Sequence, residues 1–530
     1  MIKLDVNLDE LLNDSENLRK TMSLVLDAHF WQKNNQATDG KLSLKQKDNF
    51  YNGKDINGKT LLINKWKYIV DTSSDFFLGS SFDITTIGGK SEKSNILFLK
   101  EQLKANNFDN ELTAIAKSCS NYGNGFLMLY NDIGDTFPKF KKLNSLDTNV
   151  VYSCEVEETP LFAFTIRTIN KVELGVKKSY YRIYVYFKKY MTIFITPTTT
   201  TMINETPTYN CSYDLAFINS IKNTENGFIE HDFNDIPLVE FRNNEEMVGD
   251  AECVYEAIME YNKLKRDELA NIDDQINSLL VFKNVRLGDE DDRTRTAELI
   301  KRDKMIGIEG EGVDVKFVNN PLDFSKTQLV AESLEEQIEH ISRCSVLAGE
   351  KFSQNASDPI LKLKTKPMLD LAKSKEKIFT LSVRRVLEMI KDFGLRFGEK
   401  DRRKYEFNMS KIQLAYAHSL PSNDQDIITM IANLSNAGIL NPEIALQQIS
   451  WIENVDSYIE GMEEYTKQKL AIDKERALVK NNNKGENPAN NGANEHNIAL
   501  QNSIPQTLDQ KDNKNAYNMG LANKLSEDDK

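Results

Sequence analysis

Nowhere in the 530 residues do apolar side chains run on for the roughly 18–20 positions that a membrane-crossing helix requires. The longest candidates are as short as Ser278–Phe282, which excludes an integral helical membrane protein. The opening MIKLDVNLDELL is acidic and amphipathic, without the basic and apolar regions of a secretory signal, and predicts a protein that stays in the cytoplasm of the cell that makes it. Cysteine is sparse. Cys119, Cys154, Cys211, Cys253 and Cys344 are scattered and odd in number, form no C-x-x-C pair and have no histidine at zinc spacing. That excludes a disulfide framework and a zinc site, and leaves reduced, mostly buried thiols. Excess positive charge is also missing: the net charge is −13, so the whole chain is not built to grip DNA phosphates.

Enzyme signatures are equally scarce. There is no G-x-x-x-x-G-K-[ST] phosphate loop, no G-x-S-x-G elbow, no H-E-x-x-H and no G-x-G-x-x-G. Gly88-Gly89-Lys90-Ser91 has the Lys-Ser pair without the preceding glycine spacing. Asn121-Tyr122-Gly123-Asn124-Gly125 precedes strand-like residues rather than a helix, and reads as a tight turn into a sheet. Asp273-Asp274 and Asp289–Asp292 read as solvated acids rather than metal ligands. No catalytic residue, metal or cofactor is expected.

What the chain does contain is an ordered succession of textures. Residues 8–34 carry Leu8, Leu11, Leu12, Met22, Val25 and Phe30 at helical spacing, and further helices are predicted near 65–78, ending at Gly79, and over 90–118. From Gly123 the chain turns β-rich, with FLMLY (126–130), NVVY (149–152), FAFTIRT (162–168), SYYRIYVYF (179–187), 191–196 and 237–241. In SYYRIYVYF the alternation places Tyr181, Ile183, Val185 and Phe187 on one face. Helix returns at Asp250 with Val254, Ile258, Tyr261 and Leu264. A small α/β insert comes next: a strand at 279–283, a helix near 292–302, and strands at 305–308 and 313–318.

Residues 327–345 form the clearest amphipathic helix, with Val330, Leu334, Ile338 and Ile341 on one stripe and Glu332, Glu335, Glu336 and Glu339 opposite. Asn355, Ser357, Asp358 and Pro359 predict a loop before a long helix from Pro367 to about Arg396. Strand signal reappears at 405–409, and helices follow Pro421. No repeat of roughly 20–50 residues stands out. Lys362–Lys404 carries a net charge of +8 within an otherwise acidic chain, and its basic residues could touch DNA or, for the most part, neutralise acidic neighbours.

Four stretches in this order carry a family resemblance: YNGKDI (51–56) with INKWKYIVDTSSDFFLGSSF (63–82); GNGFLMLYNDIG through KKLNSLDTNVVYS to Arg167; IPLVEFRNNEEMVGDAECVYEAIMEYNKLKRDELANIDD (236–274); and the pairing of 328–344 with 362–396 across a loop. The chain resembles portal proteins of long-tailed bacteriophages over about residues 50–470. Two departures from the family pattern are Ser357-Asp358-Pro359 in the loop, where Ser-Gly is common, and the absence of a proline near 346–349.

The resemblance implies an α+β fold, mainly helical. It would have a β-rich wing (1–246), stem helices at 249–276 and 327–345, and a small α/β clip (277–326). A tunnel loop (346–366), a wing helix and strand (367–420) and a helical crown (421–480) would complete it. It further implies a ring of about twelve copies at the head–tail junction of the virion. Such a ring would pass viral double-stranded DNA without sequence preference, and would dock the terminase, the major capsid or scaffolding protein and the head–tail adaptor. Glu332, Glu335, Glu336 and Glu339 are then expected to line the tunnel and repel phosphate. Asn355, Ser357, Lys362, Lys364 and Lys366 are expected to touch DNA from the loop, the lysines sharing one side of an extended segment. Another self-assembling head or tail protein, or a packaging enzyme, are the competing readings; the second is weakened by the missing phosphate loop.

The polar stretch beyond Lys480 is too poor in apolar residues to offset the entropy of ordering, and 481–530 reads as a disordered tail. A chain ending at Lys480 is therefore expected to keep the oligomeric state of the full chain in size-exclusion chromatography. Loss of assembly on this truncation would show that the tail is structural.

Overall fold

The computed structural model describes residues 2–132, 134–199, 201–276, 279–283, 314–318, 324–344, 358–398 and 401–416 together with His418 and a few isolated positions, apart from position 7 and the short stretches 36–39, 80–81, 174, 204–205 and 223–226. The chain divides into two compact units, 1–426 and 427–530, and the sheets and helices described belong to the first. The expected loop residues 346–357, the insert helix near 292–302 and strand at 305–308, the crown at 421–480 and the tail lie outside the described residues.

The β-rich region forms two sheets, layered face to face. A seven-stranded sheet starts with Ile2–Leu4, which runs parallel to Thr148–Ser153, and continues antiparallel through Pro160–Glu173, Val176–Tyr186 and Tyr190–Pro197. A three-stranded sheet places Asn124–Tyr130 between Leu238–Arg242 and Lys139–Leu143. Alternation along the strands decides the layers. Ile183, Val185 and Phe187 face one way, with Tyr181 partly buried beside them, as the sequence pattern predicts. They meet Leu18, Met22, Val25 and Leu26 of the helix Ser15–Asn34. The opposite face of that sheet, with Val150, Tyr152 and Ala163, packs on Phe126 and Leu238 of the smaller sheet. The far side of the smaller sheet, with Leu127, Leu129, Val239 and Phe241, is covered by helices.

Those helices show where local sequence decides the breaks. The expected helix over 8–34 is divided at Asp14, whose carboxylate accepts from the Glu16 and Asn17 N–H groups and so caps a new helix. The expected helix over 90–118 is two, Lys90–Ala105 and Phe108–Tyr122, separated by Asn107 at φ 54°, a left-handed conformation that asparagine tolerates. The helix Lys65–Leu78 ends at Gly79 as predicted. It serves two cores, sending Trp66, Ile69 and Val70 to one and Phe76, Phe77 and Leu78 to the other.

Three further expectations are corrected. Residues 405–409 are not a strand; short 3-10 turns at Arg402–Tyr405 and Met409–Lys411 lead to a strand at Ile412–Tyr416, paired with Phe82–Thr86. The buried Tyr405 ring sits against Gly394 and Gly398, where a side chain would leave it no room, and this pins the turn. The long helix begins at Asp358, not Pro367. Asp358-Pro359 is a helix start, because proline in the first turn lacks only an N–H that would have no partner there. Pro367 lies inside the helix on an exposed side, and the Leu363 carbonyl that loses its helical donor is at an exposed residue within reach of water. The thiols are less buried than expected: Cys119 and Cys344 are buried, Cys211 half-buried, and Cys154 and Cys253 exposed.

His29 joins the helix Ser15–Asn34 to the sheet. It is fully buried between Phe30 and Phe164, and its Nε2–H donates to the Leu146 carbonyl at 3.2 Å. Its Nδ1 has no partner among the described residues. Burial, with the Lys33 ammonium nearby, pushes its pKa down to about 4. The folded state therefore binds its proton less readily than the unfolded chain. Stability from this group is complete above about pH 6.5 and falls by about 3 kcal/mol as pH drops towards 4. His29→Gln, which keeps a donor for Leu146, is expected to flatten this part of the pH–stability curve measured by denaturant unfolding. An unchanged slope would show that His29 does not carry it.

Candidate functional site

The region that organises the described residues is the junction between the strand Leu238–Arg242 and the helix Tyr255–Ile276. Here two chain segments cross almost in contact. Gly123 caps the helix Phe108–Tyr122 at φ 94°, and a Cβ on it would strike the Met247 carbonyl. A Cβ on Gly249 would lie 2.6 Å from the Asn121 carbonyl oxygen. Only glycine suits the first position on both conformational and steric grounds. The Gly-rich stretch at 121–125 is thus the turn into the sheet that the sequence suggested.

The crossing buries Asp250 and surrounds it with donors. Ser73 Oγ donates at 2.7 Å, Ser120 Oγ at 2.5 Å and Asn243 Nδ2 at 2.8 Å, while Lys375 Nζ forms an ion pair with it. Lys375 Nζ also reaches Ser73 Oγ at 2.8 Å, and the Asp250 N–H donates to the Ser120 carbonyl at 2.8 Å. Burial by itself would raise the Asp250 pKa; the Lys375 charge and the bonds from Asn243, Lys375 and Ser120 outweigh it and hold the carboxyl below its usual range.

Beside it lies a second buried pair, Lys47 with Glu252, at 2.6 Å. Lys47 also donates to the Tyr122 carbonyl at 3.1 Å, and Glu252 accepts from the Leu42 N–H at 2.8 Å and the Gly249 N–H at 3.1 Å. Burial lowers the Lys47 pKa, and Glu252 opposes that shift. Trp66 donates to Asn121 Oδ1 at 2.7 Å, and Asn262 brackets Ile63 by accepting from its N–H and donating to its carbonyl. None of this is nucleophile-and-base geometry. It is a polar lock that fixes where the helix Tyr255–Ile276 starts, and no group of ligands suited to a metal occurs among the described residues.

Two long helices meet at this lock. The helix Phe324–Ser342 packs on Tyr255–Ile276, with Ala331, Ile338 and Cys344 in one core with Val254, Ile258 and Tyr261. Cys344, just beyond the end of the second helix, shares that core with Val254 at the start of the first, and its Sγ lies 3.8 Å from the Ile69 carbonyl of the helix Lys65–Leu78. At the other ends of the two helices, Leu279–Lys283 and Asp314–Val318 pair antiparallel.

The predicted apolar stripe on Phe324–Ser342 is corrected by this packing. Ile338 is buried and Leu334 half-buried, but Ala331 and Ser342 complete the buried side, while Val330 and Ile341 are more than half exposed. Both stripes fit helical spacing, and contact with the first helix selects the one containing the small Ala331.

The expected carboxylates have different surroundings. Glu335 forms an ion pair with Lys65 of its own subunit. Glu332 and Glu336 are exposed, Glu339 is half-buried, and Glu332 accepts from Gln328 at 2.9 Å. Asn355 and Ser357 lie outside the described residues. Lys362, Lys364 and Lys366 fall in the helix Asp358–Phe397, so the extended geometry that would align all three is replaced. On a helix, positions 362 and 366 share a side and 364 faces away. Several cations of the +8 segment are used inside the subunit: Lys375 on Asp250, Arg385 on Asp235 at 2.7 Å, Lys404 on Asp401 at 2.9 Å, and Arg384 on the Met409 and Ile412 carbonyls.

The lock was missed in the sequence. One signal was present: Lys375 occupies the core phase of its helix, in step with Met368, Ala372 and Phe379. Its partner lies 125 positions away, beyond the reach of spacing rules.

Residues 20–475 match the family described as "Phage portal protein, SPP1 Gp6-like". The chain belongs to that family. The portal protein of Bacillus phage SPP1 is 21% identical over 405 residues, covering 75% of this chain and 74% of the relative. The portal match spans the lock, both long helices and the strand pair between them. No helix among the described residues is long and apolar enough to cross a membrane.

Replacing Lys375 with methionine would leave Asp250 buried without its countercharge. A loss of about 3–5 kcal/mol in unfolding free energy is expected, measured by chemical denaturation, with partial recovery in Lys375→Met/Asp250→Asn. A loss below about 1 kcal/mol, the scale of an exposed pair, would refute the lock.

Proposed function

We propose that this chain is the ring-forming channel subunit at one capsid vertex, through which viral DNA enters during packaging and leaves on ejection. In this reading the rings contain about twelve copies, as closed cyclic assemblies of one chain allow. The unit between the two long helices is the clip, which docks the terminase motor and later the head–tail connector. The sheets and the long helix Asp358–Phe397 make the wing, which meets the capsid or scaffolding protein.

The observation that carries the reading is the return of the helix Phe324–Ser342 beside the start of Tyr255–Ile276, with a strand pair at the opposite end. A small unit inserted between two such helices sits at their far end, away from the wing. That arrangement suits a device which holds one partner at its base and another around its rim. Apolar residues also remain uncovered on both helices, Leu269 and Ile272 on the first and Leu329, Val330 and Ile341 on the second. An isolated subunit has no use for them, whereas a ring neighbour would cover them.

Electron microscopy of the purified full chain is expected to show rings with a central hole and radial wings. Removing 284–318 is expected to leave rings that no longer bind the packaging motor. If such rings still bind the motor and only their attachment through the wing fails, the assignment of the clip is overturned.

A further inference from the structure

On the helix Asp358–Phe397 the buried positions Thr365, Met368, Ala372, Lys375 and Phe379 define the side turned to the subunit's own core. Lys366, Lys373 and Lys377 lie on the side away from it, spaced seven and four residues apart. All three are exposed, and no carboxylate pairs with them among the described residues. Asp370 lies at the edge of this stripe and leaves it net positive. The stripe extends about 16 Å along the axis. It is flanked by Leu363 and Leu381, each more than two-thirds exposed.

The helix Phe324–Ser342 carries the converse surface. Glu332, Glu336 and Glu339 succeed one another at spacings of four and three along one side, with Glu335 turned to Lys65 next to them. Leu329, 64% exposed, borders this stripe. Each protomer therefore displays one acidic and one basic stripe on different helices, both beside uncovered leucine. Phosphate would not cover the leucines; a protein face would. A closed ring of head-to-tail contacts needs two unlike, mutually complementary surfaces on every subunit.

We propose that adjacent copies of this chain are joined by the Glu332–Glu336–Glu339 stripe of one subunit against the Lys366–Lys373–Lys377 stripe of the next. This rests on the ring reading, and it gives the carboxylates a neighbour rather than the channel axis to face. The contact steers association and sets which faces meet more than it supplies bulk affinity. Assembly is consequently sensitive to salt, which screens exposed charges over about 10 Å at 0.1 M.

The test uses full-length chain and two reversed variants, one with Lys366→Glu, Lys373→Glu and Lys377→Glu, the other with Glu332→Lys, Glu336→Lys and Glu339→Lys. Ring formation is followed by analytical ultracentrifugation, and folding of each variant by thermal unfolding. Each variant alone is expected to need at least about tenfold more protein to assemble, while an equimolar mixture assembles as readily as the unaltered chain, because the two then present opposite charges at every contact. Unaltered chain that stays monomeric at every concentration overturns the ring reading, and this inference with it. If the unaltered chain forms rings, the inference alone is overturned by either of two results: reversed variants that assemble normally, or folded variants whose mixture fails to assemble. Should either triple reversal fail to fold, the corresponding glutamine variants are compared instead. Unaltered chain and glutamine variants with the same salt dependence would likewise overturn the inference.

Discussion

The buried carboxylate of Asp250 is the constraint on which the arrangement of the described elements depends. A charge with no access to water is tolerated only when its attraction to a countercharge and a full set of hydrogen bonds offset a desolvation cost of several kcal/mol. Ser73, Ser120, Asn243 and Lys375 supply that set. They come from the helices Lys65–Leu78 and Phe108–Tyr122, from the turn after the strand Leu238–Arg242 and from the helix Asp358–Phe397. Displacing any one of these elements would strand the charge. Apolar packing rewards many arrangements nearly equally, whereas this site accepts one.

That property suits a protein that must be assembled in many identical copies. Layered sheets bury a large apolar area but allow small slides. A buried ion pair with directional donors suppresses such slides and fixes the direction in which the helix Tyr255–Ile276 leaves the strand Leu238–Arg242. The Lys47–Glu252 pair and the Asn262 bracket on Ile63 repeat the device on neighbouring turns. In the ring we propose, a small error in this direction would be multiplied around the circle and prevent closure.

Charge is divided by location. The lysines and arginines of the long helix that point inward are bound to Asp250, Asp235 and backbone carbonyls. Lys366, Lys373 and Lys377 lie on the opposite, exposed side. The same residue type thus fixes the fold on one side of the helix and, in the contact we propose, meets a neighbour on the other, according to helical phase.

The sequence by itself determined the helix Lys65–Leu78, the longer strands of the β-rich region and the face shared by Ile183, Val185 and Phe187, because period and residue type are local properties. It also determined the order of elements from which the portal family was legible. It left the start of the long helix at Asp358 misread, because Asp-Pro opens a helix as readily as it forms a turn, and the apolar stripe of Phe324–Ser342 misplaced by about one residue, because two phases fitted equally. Only the tertiary structure decided that Glu335 faces Lys65 rather than sharing a set with Glu332, Glu336 and Glu339, and that Lys375 is buried against Asp250. Each of those pairings joins residues more than a hundred positions apart, and no spacing within a helix or strand encodes which distant residue a charge will meet once the cores have closed.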